Sequence, residues 1–279
     1  MPAPSPHAHQ TPSPRRAKLG GPAWVLAAML LGACATQPAP PPPVAVAPAP
    51  PLDPAIVNAI RAMGATLSAA PALTVRMTSL REAPLPEGQM VLLGATTVAA
   101  VQRPNRLNAI SGSDLGSIAV WFDGTTLSVL APVANTYSST PLAGSIEQML
   151  TALDDRYGID LPLRPLLAND PAEILLPVGT SGRLLGRTIV GGVACDHYAL
   201  RNTAADWEIW IATGPRPVPC RVSVVARGVP DAPRLILEFE AWNLQPRLGA
   251  RDFAFTPPRG AVRVPLLERG QRPPMESAQ

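Results

Sequence analysis

The side chains of this 279-residue chain that could do chemistry gather in one short run, Cys195-Asp196-His197-Tyr198. His197 is the only histidine beyond residue 9, which leaves no multi-histidine metal site and one candidate general base. On a strand, neighbours point to opposite faces, so Cys195 and His197 share one side and Asp196 and Tyr198 the other. A cysteine and a histidine two apart could touch, yet no oxyanion loop or orienting partner accompanies them. The run reads as a hydrogen-bonded structural histidine beside a turn. Asp154, Asp155 and Asp160 could serve as carboxylates for metal or acid–base work. The first two end a helical pattern and Asp160 stands just ahead of Pro162, so they read as solvated caps. No nucleophile elbow, phosphate loop, zinc-type cysteine spacing or dinucleotide fingerprint is present. No catalytic residue, metal ligand or cofactor is assigned, and the chain reads as a non-enzyme.

The remaining cysteine, Cys34, has a different chemistry. Residues 1–20 are polar and carry Arg15, Arg16 and Lys18; Ala23 to Leu31 form an apolar run too short to span a bilayer. Leu31-Gly32-Ala33-Cys34 follows, and this order resembles the lipobox of bacterial lipoproteins. The resemblance implies a signal peptide over 1–33 and a membrane anchor of acyl chains, palmitate among them, on Cys34. One chain anchors marginally, whereas several buried at about 0.8 kcal/mol per methylene detach very slowly. Ala35 stands where an aspartate would signal inner-membrane retention, which points to the outer membrane of a two-membrane host. Gln37 to Pro51 (QPAPPPPVAVAPAPP) reads as an extended, semi-rigid tether, so residues 34–52 hold the domain off the membrane. Removing Arg15, Arg16 and Lys18 with the leader lowers 23 basic residues to 20, level with 20 acidic ones. A formally neutral protein lacks the footprint for a phosphate backbone, which excludes nucleic acid as the expected partner.

Cys195 and Cys220 form an even remainder in an oxidising compartment, which fits a disulfide closing 25 residues. Geometry argues the other way. The two fall on the first and third strands of a meander, and next-nearest strands lie about 9.5 Å apart, too far for a disulfide in regular sheet. Both alternatives stand at this point.

The elements that must position these residues follow from periodicity. Hydrophobic residues make up 47% of the chain, enough for a core, and aromatics only 4%, so that core is aliphatic. Asp53 to Ala69 predicts a helix capped by Asp53, with Ile56, Val57, Ile60, Met63 and Leu67 as its stripe. Ser145 to Asp155 predicts another, followed by short helices over 163–168 and 171–176. Around this insert, period-two patterns predict ten strands: five between Leu73 and Ala131, with a hairpin turn at Asp123-Gly124, and five between Gly182 and Trp242. In the last, Leu235, Leu237, Phe239 and Ala241 alternate against Ile236, Glu238, Glu240 and Trp242. Trp121, Trp207, Trp210 and Trp242 read as core side chains that could also line a cavity. Beyond Phe255 the proline-rich chain is expected to fray. The fold class is α+β: one curved antiparallel half-barrel sheet of about ten strands, its inner face covered by the N-terminal helix and the central helical insert. The domain runs over 53–264, with a disordered tail at 265–279.

Several stretches together resemble a known family: Arg103–Leu107 (RPNRL), Trp121–Ser139, Arg156–Pro171 (RYGIDLPLRPLLANDP), Cys195–Arg201 (CDHYALR), and Asp206–Ile211 with the later PRPVP. They are similar to domain-of-unknown-function family 2092, predicted periplasmic proteins within the superfamily of lipoprotein-localisation factors and mycobacterial lipid-carrier lipoproteins. Gly191-Gly192 departs from the Asp-Gly expected before Val193. Cys220 stands where a non-cysteine is usual, which would make any disulfide private to this chain. The resemblance implies an open half-barrel with helices as a lid over an apolar cavity. The expected function is a periplasmic lipoprotein that binds a lipid or acyl chain; the alternative is a structural or sensory module that binds a protein partner. The cavity-lining residues are not assigned by the sequence.

Overall fold

The computed structural model describes residues 52–159 and 161–271. The leader, Cys34, the tether through Pro51, Asp160 and residues 272–279 lie outside the described residues.

Helix α1 (Pro54–Ala69) starts where the Asp53 carboxylate accepts the N–H of Ala55 at 2.8 Å and Pro54 presets the first turn. Of its expected stripe, Ile56, Ile60, Met63 and Leu67 are buried, and Val57 at the margin is half-buried. Two antiparallel meanders follow. The first runs β1 (Ala72–Pro84), β2 (Met90–Gln102), β3 (Arg106–Ser113), β4 (Gly116–Phe122), β5 (Thr126–Ala131) and β6 (Thr136–Pro141). The second runs β7 (Ser181–Val190), β8 (Val193–Arg201), β9 (Ala205–Ala212), β10 (Pro219–Ala226) and β11 (Arg234–Asn243). Between them lie α2 (Ile146–Tyr157), α3 (Arg164–Leu167) and α4 (Pro171–Leu175), and β12 (Val262–Arg263) comes last.

The strands form one open, curved sheet in the order β12-β6-β5-β4-β3-β2-β1-β11-β10-β9-β8-β7; the β1–β11 pairing splices the meanders. Register rows show how the core is built. Val75, Ala99, Ala109, Val120 and Val129 are successive cross-strand partners on one face, and Leu107, Phe122 and Leu127 make the adjacent row. These residues pack in one cluster with Ile60 and Met63 of α1 and Met149, Leu150 and Leu153 of α2, so the helices lie on the concave face. The capping box between Ser145 and Gln148 starts α2, and Gly158 ends it with φ 61°, a left-handed cap that an L side chain resists.

The sheet has twelve strands rather than about ten, and it is mixed rather than wholly antiparallel, because β12 pairs parallel to β6. The sequence TYSSTP of β6 contains no aliphatic residue to reveal alternation, and its most buried member is Ser138. Strand β12 is two residues at a sheet edge, too short to carry a period. A further correction concerns β11. A bulge at Glu240 shifts the register between Met77↔Phe239 and Arg76↔Ala241, which turns Trp242 to the concave side beside Phe239, ring centroids 5.3 Å apart. The expected alternation had placed them on opposite faces.

Beyond Phe253 the chain crosses the convex side. Asn108 Nδ2 donates to the Asp252 carbonyl at 3.0 Å, and Phe255 packs between Trp121 and Tyr137 at 5.0 and 5.4 Å. Phe253 is buried, and so are Ala119 and Leu130, which lie outside the concave core. The segment expected to fray is thus tied to the sheet, and Val264 N–H donates to the Tyr137 carbonyl at 2.8 Å.

Candidate functional site

The second meander continues the concave rows. Leu237, Val222, Ile209 and Tyr198 are cross-strand partners, and so, one row nearer the strand ends, are Leu235, Val224, Trp207 and Leu200. The first row is buried, although Leu237 and Val222 still reach the edge of the cleft. Over the second, a cleft of about 450 Å³ remains between β9–β11 and the insert, whose Pro165, Leu166, Ile174 and Leu175 form the opposite wall. Prolines and short helices hold this wall in place. The Asp170 carboxylate accepts the N–H groups of Ala172 and Glu173 at 2.9 and 3.2 Å to start α4. Helix α1 passes α4 at Gly64, where a Cβ would lie 3.4 Å from the Ala172 nitrogen and from Pro171 Cβ. The volume falls in the ordinary range for ligand pockets, about 300–1,000 Å³. Its lining is apolar except for Arg81 and Asn202. Deeper in, beneath Leu161, Leu163 and Leu167, only about 10 Å³ is open, so the interior is packed at one end and hollow at the other.

The run singled out for chemistry lies away from this cleft. His197 is on the convex face, stacked on Trp210 with ring centroids 3.8 Å apart and its Nε2 3.0 Å from Glu208 Oε2. Arg234 donates to Glu208 at 3.2 Å and to Ser223 Oγ at 2.7 Å, and Arg221 lies over Trp210 at 5.2 Å. The imidazole is thus a packed and hydrogen-bonded member of a convex ladder. Asp196 accepts two bonds from Arg187 at 2.8 and 3.2 Å. Tyr198 faces the core, where burial first and the Asp196 charge second raise its phenol above the usual value, against the opposing charge of Arg187.

Cys195 also faces the convex side. The structure brings its sulfur to 1.99 Å from that of Cys220, with Cα atoms 6.9 Å apart. The geometric objection assumed regular sheet, and β10 is not regular there. The register jumps from Pro219↔Ile211 to Arg221↔Trp210, so Cys220 is the extra residue of a bulge. The half-buried Ala212, opposite Cys195 on the intervening strand, packs beneath both cysteines together with Val190 and Trp210. If the bond forms in the cell, the unreduced protein has two hydrogens fewer than its sequence mass. Cys220→Ala should then cost about 3 kcal/mol in urea unfolding, by the loop-closure estimate for 25 residues. Two free thiols in the unreduced protein would contradict this.

Asp154 is more than a solvated cap. It receives Arg164 at 3.3 Å and Arg269 at 3.0 Å, and so ties α2 to α3 and to the C-terminal segment. Asp155 is exposed, and no group of three metal-ligating side chains occurs among the described residues. Of the four tryptophans among the described residues, Trp207 lines the cleft. Trp242 stays concave with its indole N–H on the Pro219 carbonyl at 2.9 Å, while Trp121 and Trp210 are convex. The cleft residues were unassigned in the sequence, although the alternation of Val222, Val224 and Ala226 against Leu235 and Leu237 already placed them on one face. What the alternation lacks is any sign of which rows the helices leave uncovered.

The model of a family described as "Predicted periplasmic protein (DUF2092)" matches residues 57–267. No functionally curated protein matches the chain. Among solved structures, the lipoprotein LppX of Mycobacterium tuberculosis is similar at 14% identity and a TM-score of 0.41, over 71% of this chain and 100% of its own. A LolA superfamily protein from Nitrosomonas europaea is similar at 14% identity and a TM-score of 0.33, over 71% of this chain and 96% of its own. The Pseudomonas aeruginosa MucA/MucB complex is similar at 11% identity and a TM-score of 0.31, over 67% of this chain and 56% of its own. All three are distant.

Proposed function

Because this chain belongs to the DUF2092 family of predicted periplasmic proteins, we propose that its concave cleft binds the apolar chain of a lipid or a lipoprotein acyl group. Acyl chains on Cys34 would hold it at the periplasmic face of the outer membrane. The observation that carries the reading is the cleft itself: about 450 Å³ open to a ligand, walled on both sides by aliphatic side chains and Trp207. Water gains little from such walls, whereas an alkyl chain gains about 0.8 kcal/mol for each methylene it buries. An anchored protein of this kind is suited to receiving or holding lipid rather than ferrying it across the periplasm. No step of bond-making is part of the reading.

Two measurements test it. In cells fed labelled palmitate, the full chain should incorporate label, and Cys34→Ala should abolish it; label persisting in Cys34→Ala would refute the anchor. In vitro, an alkyl ligand should shift the tryptophan emission of the protein, and the shift should vanish in Trp207→Phe, since that indole alone among the described tryptophans lines the cleft. An unchanged spectrum at saturating ligand would refute the cleft.

One observation favours the protein-partner reading. On the convex face Val98 and Ile110 sit opposite each other, 45% and 51% exposed, and Leu80 and Leu92 lie further along the same face at 42% and 56%. Such a patch suits a protein contact and is compatible with a ligand on the other face.

A further inference from the structure

The row that floors the cleft runs on to the edge of the sheet. Trp207 is the cross-strand partner of Leu200, and Leu200 of Gly182 on β7, the outermost strand. Leu52, the first described residue, packs there. A Cβ on Gly182 would lie 3.2 Å from Leu52 Cδ1 and 2.9 Å from the Ala199 carbonyl, a close approach that any larger side chain would obstruct. The chain from Cys34 therefore enters the domain against β7, at the end of the cleft row.

The same edge is apolar and open. Val178, ahead of β7, is fully exposed, and Leu184, Leu185 and Ile189 are each more than half exposed. Leu184 shares the concave face with its partner Tyr198, as Ile189 does with Ala194, yet the helices leave both uncovered. Leu185 is the extra residue where the register breaks between Leu184 and Gly186. No strand pairs with the outer side of β7 among the described residues. Arg183 adds a cation with no ion-pair partner among them, while Arg187 is neutralised by Asp196.

We propose that this edge docks on the lipid surface that carries the anchor, with Val178, Leu184, Leu185 and Ile189 entering it. The proposal rests on acylation of Cys34 and adds an orientation to it. Seventeen residues separate Cys34 from Leu52, a reach of at most about 60 Å. Membrane attachment through this segment holds the domain at β7. Tethering makes docking intramolecular, so a few apolar side chains suffice where they would not retain a free protein. Apolar side chains of an interfacial element sit about 5–10 Å into the boundary of headgroups and acyl chains, where the unpaired backbone of an edge strand still meets water. Arg183 suits anionic headgroups. Docked this way, the cleft row begins beside the bilayer, and an alkyl chain has a path to Trp207 that does not cross the periplasm.

The test places a nitroxide at Val178→Cys, at Leu185→Cys and, as a control, at Val133→Cys, exposed between β5 and β6 towards the opposite end of the sheet. With Cys34 acylated and Cys195 bonded to Cys220, the introduced thiol is the one that reacts. The acylated chain is reconstituted in vesicles of phosphatidylethanolamine and phosphatidylglycerol, and each label's collisions with oxygen and with a water-soluble nickel chelate are compared. The expected result is a lipid-exposed label at Val178 and Leu185, about 5–10 Å into the boundary, and an aqueous one at Val133. Leu184→Asp combined with Ile189→Asp should return the Val178 label to water while the chain still sediments with the vesicles. Aqueous labels at all three positions on a chain that does sediment overturn the docking and leave the anchor standing. Labels at Val178 and Leu185 that are shielded from both reagents and broadened by a neighbouring spin would place a second copy on the edge, and also overturn the docking. A chain that stays in the supernatant overturns the anchor, and the docking with it.

Discussion

Val224→Trp is expected to lower affinity for dodecanoate by about 100-fold or more without lowering the melting temperature. Val224 sits between Trp207 and Leu235 in the row that floors the cleft, and it is half-buried because the cleft is open above it. An indole at this position projects into the space the ligand would take. If it displaces about four methylenes of the ligand, the loss is about 3 kcal/mol, which corresponds to that factor. The protein itself should gain from the substitution, since the indole covers apolar walls without forcing packed neighbours apart. A loss of binding with a large fall in stability would instead mean that the space is part of the core. Retained binding at full affinity would place the ligand elsewhere.

Phe122→Ala should have the opposite profile, a large loss of stability wherever ligand is absent. Phe122 is 0% exposed and lies in register between Leu107 and Leu127, within the concave cluster that the helices close. Removing a buried phenyl ring from such a site costs about 3–5 kcal/mol in lost transfer energy and residual cavity. Set against a total of about 5–15 kcal/mol for a typical domain, that is a large share. Urea unfolding should show a lower midpoint with an unchanged m-value. A cost below about 1 kcal/mol would mean that this end of the half-barrel is loosely packed.

The contrast between these residues shows what the sequence could reveal. The stripe on α1 and the alternation of β1 to β5 are statements about one face of one element, and local periodicity carries them. Strand β6 escapes because its buried face is Ser138 rather than an aliphatic residue, and β12 because two residues define no period. Trp242 changes face because of a single bulge at Glu240, a feature of pairing between β1 and β11 that neither strand encodes alone. The same holds for Cys220, whose position opposite Cys195 depends on the bulge in β10. The cleft is a still less local property. It exists where the helical insert stops short of the Leu235 row, and the extent of that cover is set by α3, α4 and the close approach at Gly64. Arg81 reads in the sequence as an ordinary charged residue near a strand end. The alternation of Leu73, Val75 and Met77 extends to it, but only its register with Leu235 puts it in the row of the cleft.

The central claim, that the concave cleft holds a lipid, is tested most directly by native mass spectrometry and lipid extraction on the domain from Asp53 onward, free of the Cys34 anchor and purified from its own periplasm. The account predicts a stoichiometric lipid in the native spectrum, released on unfolding and absent from Val224→Trp. A clean ligand-free mass, with no gain when lipids are added, would contradict it and turn attention to the convex Val98–Ile110 surface as the site of a protein contact.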